Sequence, residues 1–177
     1  FDQDLAKMRK RALMLKNRLG KKSELAEESR ARFYSDWTYS AAHLLQAIPG
    51  LDHPQAFSEF LRLPLLEVRK ILAFLVETGL SEEKRGRYHI GTASTFLPRD
   101  SVFSRSFQQS WRLRVLQQSH DLREEELAFT NPVVVSHADF AKIRELLVEL
   151  IKEFGRVAEP SPSEVLSCLN IDWVKVR

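Results

Sequence analysis

The sequence predicts an α+β fold, mainly helical: three helices and a β-hairpin, followed by a small helix-strand-helix-strand unit. Three observations predict it. Apolar residues recur at steps of three and four through most of the chain, the period of a helix with one buried face. Pro and Gly fall where those stripes stop, as they do at helix ends. One short segment, residues 81–90, breaks the helical period with charged residues around Gly86 and reads as strand, turn, strand.

The elements follow in order. Leu5, Met8, Ala12, Leu15 and Leu19 form a heptad-like stripe on a first helix, with Gly20 as its C-terminal cap. Ser23 caps a second helix whose inner face holds Leu25, Phe33, Trp37, Ala41, Leu44 and Ile48, and Pro49-Gly50 ends it. His53-Pro54 opens a short helix over about residues 54–62, with Phe57, Phe60 and Leu61 inward. Pro64 suits the first turn of the next helix, whose buried stripe is Leu65, Val68, Ile71, Leu72 and Leu75. Gly79 caps it, and Leu80 folds back onto the core. Three helices and then a hairpin is the order of a winged helix-turn-helix.

Beyond a loop at 91–101, Phe103, Phe107, Trp111 and Val115 stand four apart, which predicts a helix over about 102–120. Glu124-Glu125-Glu126 marks a turn. Residues 127–135 read as a strand that Pro132 confines to an edge or bulge. Ser136 with Asp139 begins a further helix that buries Phe140, Ile143, Leu147, Leu150, Ile151 and Phe154 and stops at Gly155. Residues 156–163, with Pro160 and Pro162, form a linker. Leu169, Ile171 and Trp173 alternate with Asn170 and Asp172 as a half-buried strand. The resulting sheet would be completed by another copy or another domain. The domains are therefore 1–33, a basic helix and linker; 34–100, the winged helix; and 101–177, the α+β unit.

Composition narrows the function classes. The 177 residues are 44% hydrophobic and 29% charged, and the mean hydropathy is −0.30. No apolar run approaches the ~20 residues of a bilayer span. An integral membrane protein is excluded, and the expected partners do not include a membrane. The one cysteine, Cys168, excludes an internal disulfide framework and a Cys-based zinc site, and in a strand it reads as a small buried apolar side chain. With no signal peptide in view, the expected compartment is the cytoplasm. A start at Phe1 rather than Met reads as a piece of something longer.

No catalytic constellation stands out. Gly86 and Gly91 stand alone, so there is no glycine-rich phosphate loop, and neither His-Glu-x-x-His nor Gly-x-Ser-x-Gly occurs. The five histidines share no metal-ligand spacing, and capping accounts for His137 and Asp139. The expectation is a protein that is not an enzyme, with no metal and no cofactor.

Charge points toward macromolecules instead. Of 27 basic and 24 acidic residues, the first 35 positions hold 10 and 5. Lys7, Arg9, Lys10, Arg11, Lys16, Arg18, Lys21 and Lys22 run without an acid between Leu5 and Ser23, a pattern of phosphate contacts or of a solvated helix face. In the winged part, the outward positions of the third helix are Glu67, Lys70, Phe74 and Glu77, with Arg69 beside them, and the wing offers Lys84, Arg85 and Arg87. Residues 36–100 carry 7 basic and 8 acidic side chains, a weak base for phosphate attraction. The DNA-contact candidates are Arg69, Lys70, Lys84, Arg85, Arg87, Lys10, Arg11 and Lys16. The partner-contact candidates are Phe74, Leu5, Met8, Leu15 and Leu19. Trp37, Trp111 and Trp173 read as core anchors.

Three features carry a resemblance. Tyr34-Ser35-Asp36-Trp37 leads into an Ala-rich helix. Val68, Leu72, Leu75 and Thr78-Gly79-Leu80 pass into a short wing. The chain closes on strand, long helix and Leu169-Asn170-Ile171-Asp172. Over about residues 30–177 this resembles the Fibrobacter major paralogous domain family, numerous also in Bdellovibrio-type bacteria, whose C-terminal part is a domain of unknown function. Trp173-Val174-Lys175-Val176 replaces the family's apolar-Phe-Pro ending. The resemblance implies the C-terminal region of a bacterial transcriptional regulator, with its usual DNA reader upstream and residues 1–22 as a basic connector. Its winged helix would serve dimerisation, signal reception and contact with double-stranded DNA, in a homodimer. The other reading is an adaptor that keeps the winged-helix shape and binds a cytoplasmic signalling or polarity protein.

Overall fold

The computed structural model describes residues 25–98 and 100–177. The chain divides after Trp111 into two compact units. The first holds helices α1 (Glu27–Ser35), α2 (Trp37–Leu45), α3 (Pro54–Leu61) and α4 (Leu65–Glu77), strands β1 (Ser81–Lys84) and β2 (Arg87–Ile90), and the start of α5 (Ser104–Gln118). The second holds the end of α5 and the long helix α6 (His137–Ala158). The fold is α+β and mainly helical.

The single helix expected from Ser23 to Ile48 is two. Asp36 breaks it: its backbone is extended, and its carboxylate accepts from the Thr38 amide at 2.8 Å and the Thr38 hydroxyl at 2.6 Å. A side chain that satisfies an otherwise orphaned amide makes the start of a new helix favourable at that point. The break rotates the inner face. Phe33, Tyr34, Ala41, Ala42 and Leu45 are buried, and Leu44 points out.

Helix α3 begins where Pro54 fits the first turn, and His53 Nδ1 accepts from the Ala56 amide at 3.3 Å. It ends on Arg62, whose φ of 54° is left-handed. Only Ala56, Phe57 and Leu61 are buried on this eight-residue helix. Phe60, expected inward, is 42% exposed, because so short a helix presents a narrow face to the core. Three residues later α4 starts. Val68, Ile71, Leu72, Phe74 and Leu75 are buried along it.

Gly79, at φ 73°, turns the chain out of α4, and Leu80 is fully buried. Strands β1 and β2 pair antiparallel from Ser81↔Ile90 to Lys84↔Arg87. Arg85 and Gly86 have φ of 57° and 76°, the two positive values that a two-residue type I′ turn requires. The Tyr88 amide donates to the Asp52 carbonyl at 2.7 Å, so the segment before α3 lies against β2. Past the hairpin, the Gly91 amide donates to the Leu80 carbonyl at 2.8 Å. A Cβ at Gly91 would stand 2.2 Å from the Gly79 carbonyl oxygen, so the close approach needs glycine there.

Aromatic side chains close the first unit. The Tyr34 hydroxyl donates to the Thr95 carbonyl at 2.8 Å, and its ring meets Phe103 and Phe107. Trp111 packs edge-on to Trp37 and donates from Nε1 to Ser40 Oγ at 3.0 Å. These two tryptophans are half-buried anchors.

The second unit departs further from expectation. Residues 127–135 and 169–173 form no strand: no ladder partner for them exists among the described residues, and Pro132 lacks the amide a ladder uses. Helix α6 starts as expected, with Ser136 Oγ accepting from the Asp139 amide at 3.1 Å. It runs through Gly155 rather than stopping there, since that residue keeps a helical rather than a left-handed backbone. Its stripe is not buried. Phe140, Ile143 and Leu147 are half-buried, and Leu150, Ile151 and Phe154 are exposed. Trp173 stacks on Phe140 with centroids 4.9 Å apart and donates from Nε1 to the Phe140 carbonyl. Arg112 holds the Asp172 carboxylate through Nε at 2.7 Å and Nη2 at 2.6 Å. Cys168, expected buried, is exposed.

Candidate nucleic-acid interface

Two elements present the candidate cations: the outer face of α4 and the hairpin. Burial of Val68, Ile71, Leu72 and Leu75 on one side of α4 leaves Leu66, Glu67, Arg69 and Lys70 on the other. The tight turn at Arg85-Gly86 puts Lys84, Arg85 and Arg87 at the hairpin tip, all exposed. Arg62 is exposed in the connection between α3 and α4.

Carboxylates already engage three of these cations. Lys70 Nζ meets Glu67 at 2.7 Å one turn away on α4. Lys84 Nζ meets Glu82 at 2.7 Å along β1, and this contact holds the Glu82 carboxyl below its usual range. Arg87 bonds to Asp52, the residue whose carbonyl also receives the Tyr88 amide. Arg69 and Arg85 form no ion pair with a carboxylate among the described residues. The hairpin thus offers one uncompensated cation, Arg85, on a backbone conformation that suits glycine or asparagine better than arginine.

Phe74 does not belong to this surface. Expected outward, it is 5% exposed. Two side chains cover it: the Tyr39 ring of α2 packs edge-on with centroids 5.2 Å apart, and the guanidinium of Arg32 of α1 lies 4.7 Å from the Phe74 ring centroid while its Nε donates to the Tyr39 hydroxyl at 3.0 Å. An arginine laid flat on a ring covers an apolar face and keeps its own polar edge in water. The premise for Phe74 as a partner contact therefore fails. Lys10, Arg11, Lys16, Leu5, Met8, Leu15 and Leu19 lie outside the described residues.

Sequence reasoning missed Asp52 and Arg62. Asp52 immediately precedes the helix start at His53-Pro54, and an acid there signals a cap, not a partner for the wing. Arg62 had one signal in the sequence, a basic residue in the short connection before the helix that Pro64 opens. The described residues contain no group of three His, Cys, Asp or Glu able to hold a metal ion. No helix among them is long and apolar enough to cross a membrane.

Residues 16–176 match the family described as Domain of unknown function (DUF4423). The chain belongs to that family. The match spans both units, so the hairpin and α6 are both parts of the DUF4423 domain. No curated protein and no solved structure matches the chain.

Proposed function

We propose that residues 37–90 of this DUF4423 domain are a winged helix-turn-helix that contacts the backbone of double-stranded DNA, within a cytoplasmic transcriptional regulator and without catalysis. Helix α2 is the supporting helix, α3 and α4 are the helix-turn-helix pair, and the hairpin is the wing. The observation that carries the reading is the Tyr88 amide bonded to the Asp52 carbonyl. It lays the segment between α2 and α3 beside the hairpin, as the short first strand of a winged helix would lie. The exposed face of α4 and the tip at Arg85 then lie on elements that such a fold turns toward a duplex.

The contacts are with phosphate more than with bases. Glu67 beside Lys70 weakens α4 as a reader, whereas Arg85 at the tip is open to a phosphate or the minor groove. Replacing Lys84, Arg85 and Arg87 together by Ala lowers affinity for a random duplex at low salt by about tenfold or more. Unchanged affinity overturns the reading.

One observation favours a second reading, the protein-binding adaptor. Lys70, Lys84 and Arg87 are each engaged by a carboxylate, so the surface is closer to neutral than a phosphate-binding one. Under that reading, random duplex binds no more tightly at low salt than at moderate salt.

A further inference from the structure

Within the second unit, no described residue covers the apolar seam along the second half of helix α6. Phe140, Ile143, Leu147, Leu150, Phe154 and Val157 follow one another at steps of three, four, three, four and three. That is the a/d pattern by which one helix packs along another. Trp173 stacks on Phe140 at the N-terminal end. Toward the other end Leu150 is 52%, Phe154 47% and Val157 66% exposed, with Leu146 and Ile151 exposed on the flanks. No residue of the second unit is buried, although a unit of this size ordinarily encloses a core.

We infer that this half-seam pairs antiparallel with the same half-seam of a second copy of the chain. Charge admits a copy and disfavours strongly charged partners. Within residues 137–158, Asp139, Glu145, Glu149 and Glu153 balance Lys142, Arg144, Lys152 and Arg156. Two of these acids are paired one turn along the helix, Glu149 with Lys152 and Glu153 with Arg156. A nucleic acid or a strongly charged peptide meets no net opposite charge here, and an identical helix meets no net repulsion.

The pattern also sets the register. An antiparallel match that places Leu150 against Phe154 of the other copy, and Val157 against Leu147, brings the two Ile151 side chains together beside the twofold axis. The contact is isologous, so each of these pairings occurs twice across the interface. The five exposed apolar side chains present on the order of 500 Å² per copy, about the apolar share of the roughly 800 Å² that each partner buries in a stable interface. The inference is independent of the DNA reading, because it uses no residue of the first unit.

Sedimentation of the whole chain tests it. The chain is a dimer at about 100 µM, and Leu150→Asp and Phe154→Asp each weaken the dimer by at least about tenfold with unchanged helical circular dichroism. In a Cys168→Ser background, Ile151→Cys forms an interchain disulfide on mild oxidation, and Glu145→Cys, on the opposite face, does not. A monomer at that concentration overturns the inference. So does a dimer that survives both Asp substitutions, or cross-linking no better through Ile151→Cys than through Glu145→Cys.

Discussion

Gln46, just past the end of α2, donates from Nε2 to the hydroxyl of Ser81, the first residue of β1, at 2.7 Å, and both side chains are buried. The same Nε2 lies 3.2 Å from the Ala42 carbonyl, while Gln46 Oε1 is buried without a partner. This bond fixes the root of the hairpin to the helical core. Ser81→Ala leaves a buried donor half-satisfied and lowers stability by about 1–2 kcal/mol. Adding Gln46→Met removes the stranded amide, so the double variant regains part of the loss. Urea unfolding of the single and double variants checks this, and a double variant no more stable than Ser81→Ala contradicts it.

At the hairpin tip, Arg85 occupies a left-handed backbone position that Asn tolerates better. Arg85→Asn raises stability by roughly 0.5–1 kcal/mol and also removes the tip cation. Thermal unfolding should therefore move up while duplex affinity moves down. A variant that loses both has lost the turn instead.

Gly91→Ala behaves in the opposite way. The new methyl would meet the backbone of Gly79, Leu80 and Ser81, and backbone cannot step aside. A loss of about 1–3 kcal/mol is expected, from overpacking at a close approach. Gly155→Ala, where the added methyl meets nothing, serves as the control and should stabilise α6 by up to about 1 kcal/mol.

The Tyr34 hydroxyl is held above its ordinary value of 10.0, because burial disfavours the phenolate, though nearby Arg30 opposes the shift. A raised folded value means that the native state keeps the proton after the unfolded chain has released it. The contribution to stability is whole below about pH 10 and falls as pH rises through the folded value. Above about pH 9 the unfolding free energy should decline, more gently in Tyr34→Phe, which also loses the bond to Thr95. Identical alkaline slopes in the two proteins contradict the assignment to Tyr34.

Much of the first unit was legible because its signals are local. Pro54, Pro64 and Gly79 sit at helix ends by their backbone chemistry alone, and the charged hairpin around Gly86 lacks any helical period. The break at Asp36 was not legible, since the apolar stripe continues across it and the cap competes with the stripe residue by residue. The burial of Phe74 was not legible because the residues that cover it, Arg32 and Tyr39, lie on two other helices. In the second unit, the apolar run of residues 127–135 and the alternation of residues 169–173 name strands, but a strand exists only with a partner, and the described residues supply none. The cations of the candidate interface were legible one by one. Their engagement by Glu67, Glu82 and Asp52 was not, the last because it joins residues 35 positions apart.

The response of duplex binding to salt tests the account most directly. With about three phosphate contacts from the wing and α4, a plot of log affinity against log salt for a random duplex falls with a slope of about −3, and Arg85→Ala makes it shallower by about 1. A slope near zero, or one that Arg85→Ala leaves unchanged, contradicts a winged helix that grips DNA by its wing.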